Sequence, residues 1–287
     1  MKKLINTVTK GNTLDMLKTL KSESVDLGIT SPPYNKGEKN KGWLVKNVLY
    51  DAITDKKDEV IYQQEQINVL NELFRITKKG GSFFYNHKTR WDKGKMIHPY
   101  EWLNKTNWTI RQEIIWDRMI AANIRGWRFW QKDERIYWLY KPINGNQIGK
   151  ELDSKHALLT SIWRISPERK NDHPAPFPLT LPTRIIHSIL NGEHGIVIDP
   201  YSGSGTTLVA AKLLGKDYIG IDISSEYVGK AIKRLKNCES EKIVIYEELQ
   251  KHIVQKTFKD RKASNQFTGK FKNTRTALVP KRTQKLF

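Results

Sequence analysis

Apolar positions along the chain alternate between short strand-like runs and longer segments with helical spacing. Leu14, Leu17 and Leu20 recur at helical intervals, which predicts a helix over residues 13–20 with Thr13 as its cap. Strands are predicted at residues 25–29, 82–85, 113–116, 135–140, 195–199, 217–222 and 243–245, and further helices at residues 58–77, 181–190, 205–214 and 224–236. This alternation predicts an α/β fold with a doubly wound, mostly parallel sheet.

The composition is 38% apolar and 28% charged, which suffices for the core of one large α/β domain. The formal net charge of +20 exceeds what solubility requires and favours an anionic partner. We expect no signal peptide and no membrane span, because no apolar run is long enough, so nucleic acid is favoured over membrane and the cytoplasm is the expected compartment. The single cysteine, Cys238, excludes a disulfide framework or a cysteine-based zinc site within one chain.

Residues 251–287 differ in composition from the rest of the chain. They contain eleven basic side chains and one acidic side chain, and so carry half of the net charge. A basic segment with few apolar residues is typical of a flexible arm that contacts phosphate, and a solvated tail without a specific role is the alternative. Lys259, Arg261 and Lys262 are the candidate contacts in this tail.

A glycine-rich turn follows the predicted strand at residues 195–199. Gly203 and Gly205 let the backbone pass close to a ligand, and the helix that follows offers free N–H groups at its N-terminus. Asp222 ends the next strand, nineteen residues after Gly203, where an acid is placed to bind ribose hydroxyls. The third glycine of the dinucleotide fingerprint and the lysine of the P-loop are absent from the turn, so the pattern favours a nucleoside cofactor without a pyrophosphate.

The strand at residues 25–29 ends at Thr30-Ser31-Pro32-Pro33-Tyr34, because proline cannot donate to a sheet ladder, and an exposed turn is predicted there. This pattern suits methylation of an exocyclic base amine, whose lone pair is delocalised into the ring. The Ser31 hydroxyl and the Pro32 carbonyl can accept the amine hydrogens and free the lone pair, and Pro33 stiffens the turn. Tyr34 offers an aromatic face to a base outside the duplex. Such chemistry needs neither a metal nor a covalent intermediate, and a linker-type proline turn is the alternative.

Three ordered motifs resemble those of the DNA amino-methyltransferases. They are Thr30–Asn35, His173–Pro178 and Asp199–Thr207, and the resemblance covers roughly residues 4–248. The catalytic motif precedes the cofactor motif, an order that is typical of the β group of this family and that fits RNA and protein methyltransferases poorly. The resemblance implies an S-adenosylmethionine-dependent methyltransferase fold with DNA-recognition insertions.

The same resemblance implies S-adenosylmethionine as the cofactor and assigns its contacts. The expected cofactor residues are Thr30, Phe177, Pro178, Asp199, Tyr201, Ser202, Gly203, Gly205, Thr206, Thr207, Asp222 and Ile223. Tyr201 stands where the family usually has phenylalanine, a mild departure that should leave cofactor binding intact. Ser31 before Pro-Pro-Tyr favours cytosine N4 as the methylated atom, and adenine N6 is the alternative.

The expected organisation is a catalytic domain over residues 1–250 and a basic tail over residues 251–287. Within the domain we predict a catalytic half over about 4–142, recognition loops at about 36–57 and 117–172, and a cofactor half over about 173–248. Arg118, Arg125 and Arg128 are the candidate DNA contacts outside the tail. Trp127 and Trp130 either stack on bases or pack on the sheet.

Double-stranded DNA is the expected partner. Similar enzymes often belong to restriction-modification systems, and several associate as dimers, which implies a homodimer and a cognate restriction endonuclease that forms no stable complex with the enzyme. A nucleic-acid-binding module that keeps the fold without activity ranks lower, because the Ser-Pro-Pro-Tyr turn and the glycine turn are both intact.

Overall fold

A mixed β-sheet with helices on both faces forms the centre of the molecule. The computed structural model describes residues 4–35, 57–121, 126–144, 160–167, 178–190, 192, 194–252 and 263. The strands are β1 (Thr7–Lys10), β2 (Val25–Thr30), β3 (Thr77–His87), β4 (Arg90–Asp92), β5 (Lys95–Ile97), β6 (Thr109–Asp117), β7 (Asp133–Tyr140), β8 (Ile162–Arg164), β9 (Ile196–Asp199) and β10 (Asp217–Asp222). The helices are α1 (Thr13–Lys18), α2 (Glu59–Ile76), α3 (Tyr100–Leu103), α4 (Thr180–Leu190), α5 (Thr206–Leu213), α6 (Ser225–Lys236) and α7 (Lys242–His252).

Within the described residues, eight strands form this sheet in the order β1-β10-β9-β2-β3-β7-β6-β8, while β4 and β5 form a separate hairpin. The pairings make β7 antiparallel to its neighbours and the other seven strands parallel to one another. Apolar residues of α1, α2 and α3 pack on one face, and those of α4, α5, α6 and α7 pack on the other. The predicted doubly wound, mostly parallel sheet is therefore confirmed.

Strands β9 and β2 are neighbours in the sheet although they lie far apart in the chain. Gly28 permits the close packing of β2, because a Cβ atom at this position would lie 2.0 Å from the Phe83 ring of β3. In an open α/β sheet, ligands bind beyond the carboxyl ends of the strands. Thr30, Asp199 and Asp222 end three adjacent parallel strands and therefore meet at that edge.

Two local predictions are wrong. Residues 243–245 belong to α7 rather than to a strand, because Ile245 is buried together with Glu248 on one helical face while Ile243 is exposed. The cap of α1 is Asn12, whose side chain accepts from two N–H groups of the first turn, whereas the Thr13 hydroxyl donates to the Pro200 carbonyl at 2.9 Å.

Short elements account for most of what the sequence pattern did not predict. These are β1, the β4–β5 hairpin, α3, and β8 within the segment predicted to be irregular. Cys238 is fully buried, and its thiol donates to the Leu235 carbonyl, so it is a packing residue. Among the helices that the structure describes, none combines the length and the apolar character needed to cross a bilayer.

Candidate active site

The turn predicted to be catalytic, residues 30–34 and called the catalytic turn below, meets the glycine turn at the carboxyl edge of the sheet. The Thr30 hydroxyl donates to Asp199 Oδ1 at 2.8 Å, and the Tyr201 N–H donates to the same oxygen at 3.1 Å. The first of these bonds joins segments that lie 169 residues apart. The two motifs predicted from the sequence therefore form one site.

The glycine turn has the backbone conformation that the sequence predicts. Gly203 and Gly205 have φ angles of 49° and 82°, and α5 begins directly after Gly205. Asp222 accepts hydrogen bonds from the N–H groups of Gly203, at 2.8 Å, and Ser224, at 2.9 Å. Its carboxylate thus fixes the turn and still has lone pairs for ribose hydroxyls.

Two further features of the turn fit a nucleoside ligand. The Ser202 hydroxyl is buried and makes no hydrogen bond to a described residue, and such a group is expected to have a partner in the complete site. Ile223 is 41% exposed directly after Asp222, where its apolar side chain can contact a base. The residues present therefore fit the predicted cofactor.

Burial raises the pKa of Asp199 to about 6, although hydrogen bonds from Thr207, Thr30 and the Tyr201 backbone favour its charged form. The nearby Asp222 carboxylate also raises the pKa of Asp199. Burial likewise raises the pKa of Asp222, against the hydrogen bonds it accepts from backbone N–H groups. Two acids at the cofactor edge therefore resist ionisation, and a cationic ligand would favour their charged forms.

A largely buried set of hydrogen-bonded polar side chains, the catalytic network, holds the catalytic turn in place. It consists of Ser31, Tyr34, Asn86, Glu134 and Arg118. The oxygens of the Ser31 and Tyr34 hydroxyls lie 2.6 Å apart, and the Tyr34 hydroxyl donates to Glu134 Oε2 at 2.9 Å. Because the Tyr34 proton is used in that bond, Ser31 is the donor to Tyr34. Asn86 Nδ2 lies 2.7 Å from the Tyr34 hydroxyl and 3.0 Å from Glu134 Oε2, and the Arg118 guanidinium donates to Glu134 Oε1 at 3.1 Å.

The predicted exposure of this turn is wrong, since Tyr34 is only 7% exposed. Its ring packs against His87, with the ring centroids 4.6 Å apart. The carbonyl of Pro33 accepts a hydrogen bond from the Tyr62 hydroxyl at 2.8 Å, and His87 Nε2 lies 2.8 Å from that hydroxyl. The side chains of Tyr62 on α2 and His87 on β3 therefore hold the turn in place before any substrate binds.

A sequence profile of the DNA methylase family, N6/N4 type, matches residues 25–233. The chain belongs to this family. It is 28% identical to the Type II methyltransferase M.HinfI of Haemophilus influenzae over an alignment of 254 residues. This alignment covers 81% of the chain and 68% of M.HinfI. It is also 28% identical to the DNA adenine methyltransferase YhdJ of Escherichia coli strain K12 over an alignment of 258 residues. This alignment covers 80% of the chain and 82% of YhdJ.

Solved structures agree with this DNA methylase in fold. PvuII DNA methyltransferase, described as cytosine-N4-specific, superposes with a TM-score of 0.65 at 20% identity and covers 85% of this chain and 92% of its own. A DNA modification methylase of Thermus thermophilus in complex with S-adenosyl-L-methionine superposes with a TM-score of 0.58 at 23% identity and covers 81% and 95%. The fold class and S-adenosylmethionine as methyl donor are therefore confirmed for this DNA methylase.

Several of the predicted cofactor residues of this DNA methylase lie around the glycine turn. Thr206 and Thr207 begin α5 and are buried, and the Thr206 hydroxyl accepts a hydrogen bond from Arg234 at 2.8 Å. Burial raises the pKa of Tyr201, whose hydroxyl is hydrogen-bonded to Gln66. The hydroxyl group that distinguishes Tyr201 from the family's usual phenylalanine therefore has a hydrogen-bond partner. Pro178 is buried just before α4 and accepts from the Leu181 N–H. Phe177 lies outside the described residues.

The predicted DNA contacts are placed in three different ways. Arg118 binds Glu134 within the catalytic network, and its contact with DNA stays a prediction. Arg128 is half-buried, with its guanidinium carbon 5.7 Å from the centroid of the Trp127 ring. Trp127 and Trp130 are 58% and 62% exposed, so the alternative that these tryptophans pack on the sheet is wrong. Arg125, Lys259, Arg261 and Lys262 lie outside the described residues, as do residues 36–56 of the first predicted recognition loop and much of the second.

Sequence reasoning missed the side chains that support the turn, namely Tyr62, Asn86, His87 and Glu134. Asn86 and His87 carried a usable signal, because they are the polar residues that directly follow the strand predicted over residues 82–85, and the carboxyl ends of parallel strands meet at one edge. Glu134 carried none, because it is the second residue of β7 and reaches this edge only through the antiparallel direction of that strand. Among the described residues, no group of three or more His, Cys, Asp or Glu side chains is arranged to hold a metal ion.

The raised pKa of Asp199 predicts a pH-dependent stability. Between about pH 4 and about pH 6, the folded state holds a proton that the unfolded side chain has lost. The free energy of unfolding of the cofactor-free protein should therefore fall with rising pH, by about 2–3 kcal/mol more than in Asp199→Asn. Urea unfolding across this pH range measures the difference. The control Asp15→Asn removes an exposed carboxylate of α1 and should follow wild type, and parallel curves for Asp199→Asn and wild type would contradict the assignment.

Proposed function

We propose that this DNA methylase transfers the methyl group of S-adenosylmethionine to the N4 amine of a cytosine in double-stranded DNA, as the modification enzyme of a restriction-modification system. The observation that carries this proposal is the position of the Ser31 hydroxyl. Its proton is directed to Tyr34, and its oxygen accepts from Asn86 Nδ2 at 3.2 Å, which leaves one lone pair to accept a hydrogen from the amine. The name of M.HinfI, a Type II methyltransferase, supports the restriction-modification setting.

The amine hydrogens have two acceptors in the turn, the Ser31 hydroxyl and the Pro32 carbonyl. Acceptance of both hydrogens draws the nitrogen towards a tetrahedral geometry and localises its lone pair for attack. The turn is rigid because Pro32 and Pro33 restrict the backbone and Tyr62 binds the Pro33 carbonyl. Its acceptors are therefore in place before the reaction, which lowers the cost of reorganisation in the transition state. The cofactor supplies an electrophilic methyl group on a sulfonium centre.

The chain from Ser31 through Tyr34 to Glu134 gives the amine proton a destination. Hydrogen bonds in series polarise one another, so the Glu134 carboxylate increases the electron density on Ser31 Oγ. As the nitrogen gains the methyl group, Ser31 can take its proton while passing its own to Tyr34, and Tyr34 passes its proton to Glu134. Arg118 and Asn86 hold the receiving carboxylate in position.

A base can reach this turn only outside the stack, and we propose that the enzyme flips it from the duplex. Asn86 Oδ1 is buried and has no hydrogen-bond partner among the described residues, which supports a hydrogen-bonding ligand beside Ser31. The homodimer and the cognate restriction endonuclease stay predictions.

Serine at position 31 favours cytosine, and the adenine alternative is favoured by one observation, the likeness to the adenine methyltransferase YhdJ. Identification of the product decides between them. The protein is incubated with labelled S-adenosylmethionine and unmethylated DNA of mixed sequence, the DNA is digested to nucleosides, and the labelled nucleoside is identified by mass spectrometry. We expect N4-methylcytosine. N6-methyladenine would contradict the base assignment alone, whereas no labelled nucleoside from any DNA would contradict the enzymatic function.

A further inference from the structure

A surface cluster of large aromatic side chains lies outside the catalytic network. This aromatic cluster consists of Trp91 on the β4–β5 hairpin and Trp127, Arg128, Phe129 and Trp130 in the segment before β7. The Arg128 guanidinium carbon lies 4.0 Å from the centroid of the Trp91 ring, and the Trp91 and Trp127 rings pack edge to face with centroids 6.3 Å apart. Phe129 is 100% exposed, and the flanking Trp127 and Trp130 are more than half exposed.

The aromatic cluster stands on the catalytic edge of the sheet. Strand β6 is parallel to β8 and antiparallel to β7, so its carboxyl end at Asp117 lies at the edge that carries Ser31 and Asp199. The Arg118 N–H then donates to the Lys132 carbonyl at 2.9 Å and closes the base of the loop. Gln131 donates to the Thr89 hydroxyl at 2.8 Å, which joins the loop to the segment after β3. The cluster is thus attached to the segment that follows β3, the strand that carries Asn86, and to Arg118, which binds Glu134.

Exposure of three neighbouring large aromatic side chains to water is unfavourable, and such patches mark surfaces that a partner covers. The chemistry of this patch selects the partner. Arg128 stacked on Trp91 combines a flat apolar surface with a positive charge, in a chain whose net charge is +20. Nucleic acid with exposed bases is complementary to both properties. Its phosphates attract the positive charge, and the face of every base stacks on an aromatic ring.

We propose that the aromatic cluster binds DNA bases that have lost their stacking partners beside the target base, with Phe129 entering the base stack. The inference rests on the proposed removal of the target base from the duplex, which opens a gap in the stack. Apolar side chains that enter a base step stabilise such an opened duplex. Trp127 and Trp130 would lie against the neighbouring bases, and Arg128 would lie against the phosphates.

The test compares DNA with and without exposed bases in the absence of a methyl donor. The probes are a short fluorescein-labelled duplex and the same duplex with a central unpaired bubble, and fluorescence anisotropy measures both affinities at several salt concentrations. Wild type should bind the bubble about tenfold more tightly than the paired duplex, and Phe129→Ala combined with Trp127→Ala should remove most of this preference. The affinity for the paired duplex and its salt dependence should change little, because the substitutions remove no charge.

Tyr246→Ala provides the matched control, because Tyr246 is an aromatic residue on α7 that is 60% exposed. It should keep the preference for the bubble. An unchanged preference for the bubble in the Phe129/Trp127 variant would overturn the inference. If analytical ultracentrifugation also showed that this variant is a monomer where wild type is a dimer, the aromatic cluster would be a dimer interface instead. Since no methylation is measured, failure here leaves the proposed function intact, and failure to find a methylated nucleoside leaves this binding result intact.

Discussion

Replacement of Ser31 with alanine is expected to lower kcat for DNA methylation by about 100- to 1,000-fold, the range found when one preorganised polar group is removed from an active site. The variant loses the hydroxyl that accepts an amine hydrogen and begins the proton path to Glu134. Affinity for S-adenosylmethionine should change little, because Thr30 and Asp199, rather than Ser31, join the turn to the cofactor edge. Single-turnover methylation of DNA and calorimetric titration of the cofactor measure the two effects separately.

Tyr34→Phe separates the proton path from the packing of the aromatic ring. The variant keeps the ring against His87 but removes the hydroxyl between Ser31 and Glu134, so it should lose turnover while keeping its fold. Ser22→Ala is the control, since Ser22 is an exposed serine near the opposite edge of the sheet, just before β2. Turnover of Ser31→Ala at the wild-type rate would show that the catalytic assignment is wrong.

Removal of the Glu248 side chain should destabilise the fold by about 3–5 kcal/mol, the usual cost of breaking a buried ion pair. Glu248 Oε1 lies 2.7 Å from both Nε and Nη2 of Arg184, and the side chains are only 4% and 8% exposed. The Arg184 guanidinium also lies 4.9 Å from the centroid of the Trp163 ring. Glu248→Ala therefore leaves a buried cation without its carboxylate, and urea unfolding should show a lower midpoint.

The double replacement Arg184→Leu with Glu248→Leu tests this explanation. Two apolar side chains of similar volume leave no uncompensated charge, so the double variant should recover most of the lost stability. Glu239→Ala is the control, because Glu239 forms an exposed ion pair with Lys242, and exposed pairs contribute little. Equal losses in the single and double variants would mean that packing at this site, rather than charge, determines its stability.

The buried pair also explains why the sequence pattern failed at α7. Ile243, Val244 and Ile245 are β-branched and favour a strand locally, but the ion pair with α4 and the burial of Ile245 favour a helix. That tertiary contact joins residues 64 positions apart, so a pattern read over a short window of sequence cannot predict it. The central strands were predictable because each is a compact apolar run whose burial does not depend on one distant partner.

The candidate site divides along similar lines. A turn that needs a special backbone conformation also needs glycine or proline at fixed positions. The glycine turn and the Ser-Pro-Pro-Tyr turn were therefore predictable as sequence motifs. The side chains that complete the site from other strands were not, because Asn86 and Glu134 become neighbours of Ser31 only through the order and direction of β2, β3 and β7. The sequence thus predicted the groups that we expect to face the substrates, and the structure supplies those that hold these groups in place.

The hydrogen bond between Thr30 and Asp199 links the turn that is predicted to hold the base to the turn that is predicted to hold the methyl donor, so we expect the binding of the two substrates to be thermodynamically coupled. Asp199 also accepts from the Tyr201 N–H at the start of the glycine turn, and Ser31 follows Thr30 directly, so movement of one turn reaches the other. Coupling between binding sites is reciprocal, and the factor by which the methyl donor changes DNA affinity equals the factor by which DNA changes donor affinity. We therefore expect donor-loaded and empty enzyme to differ in how tightly they hold DNA, and we expect the Thr30 hydroxyl to contribute to that difference.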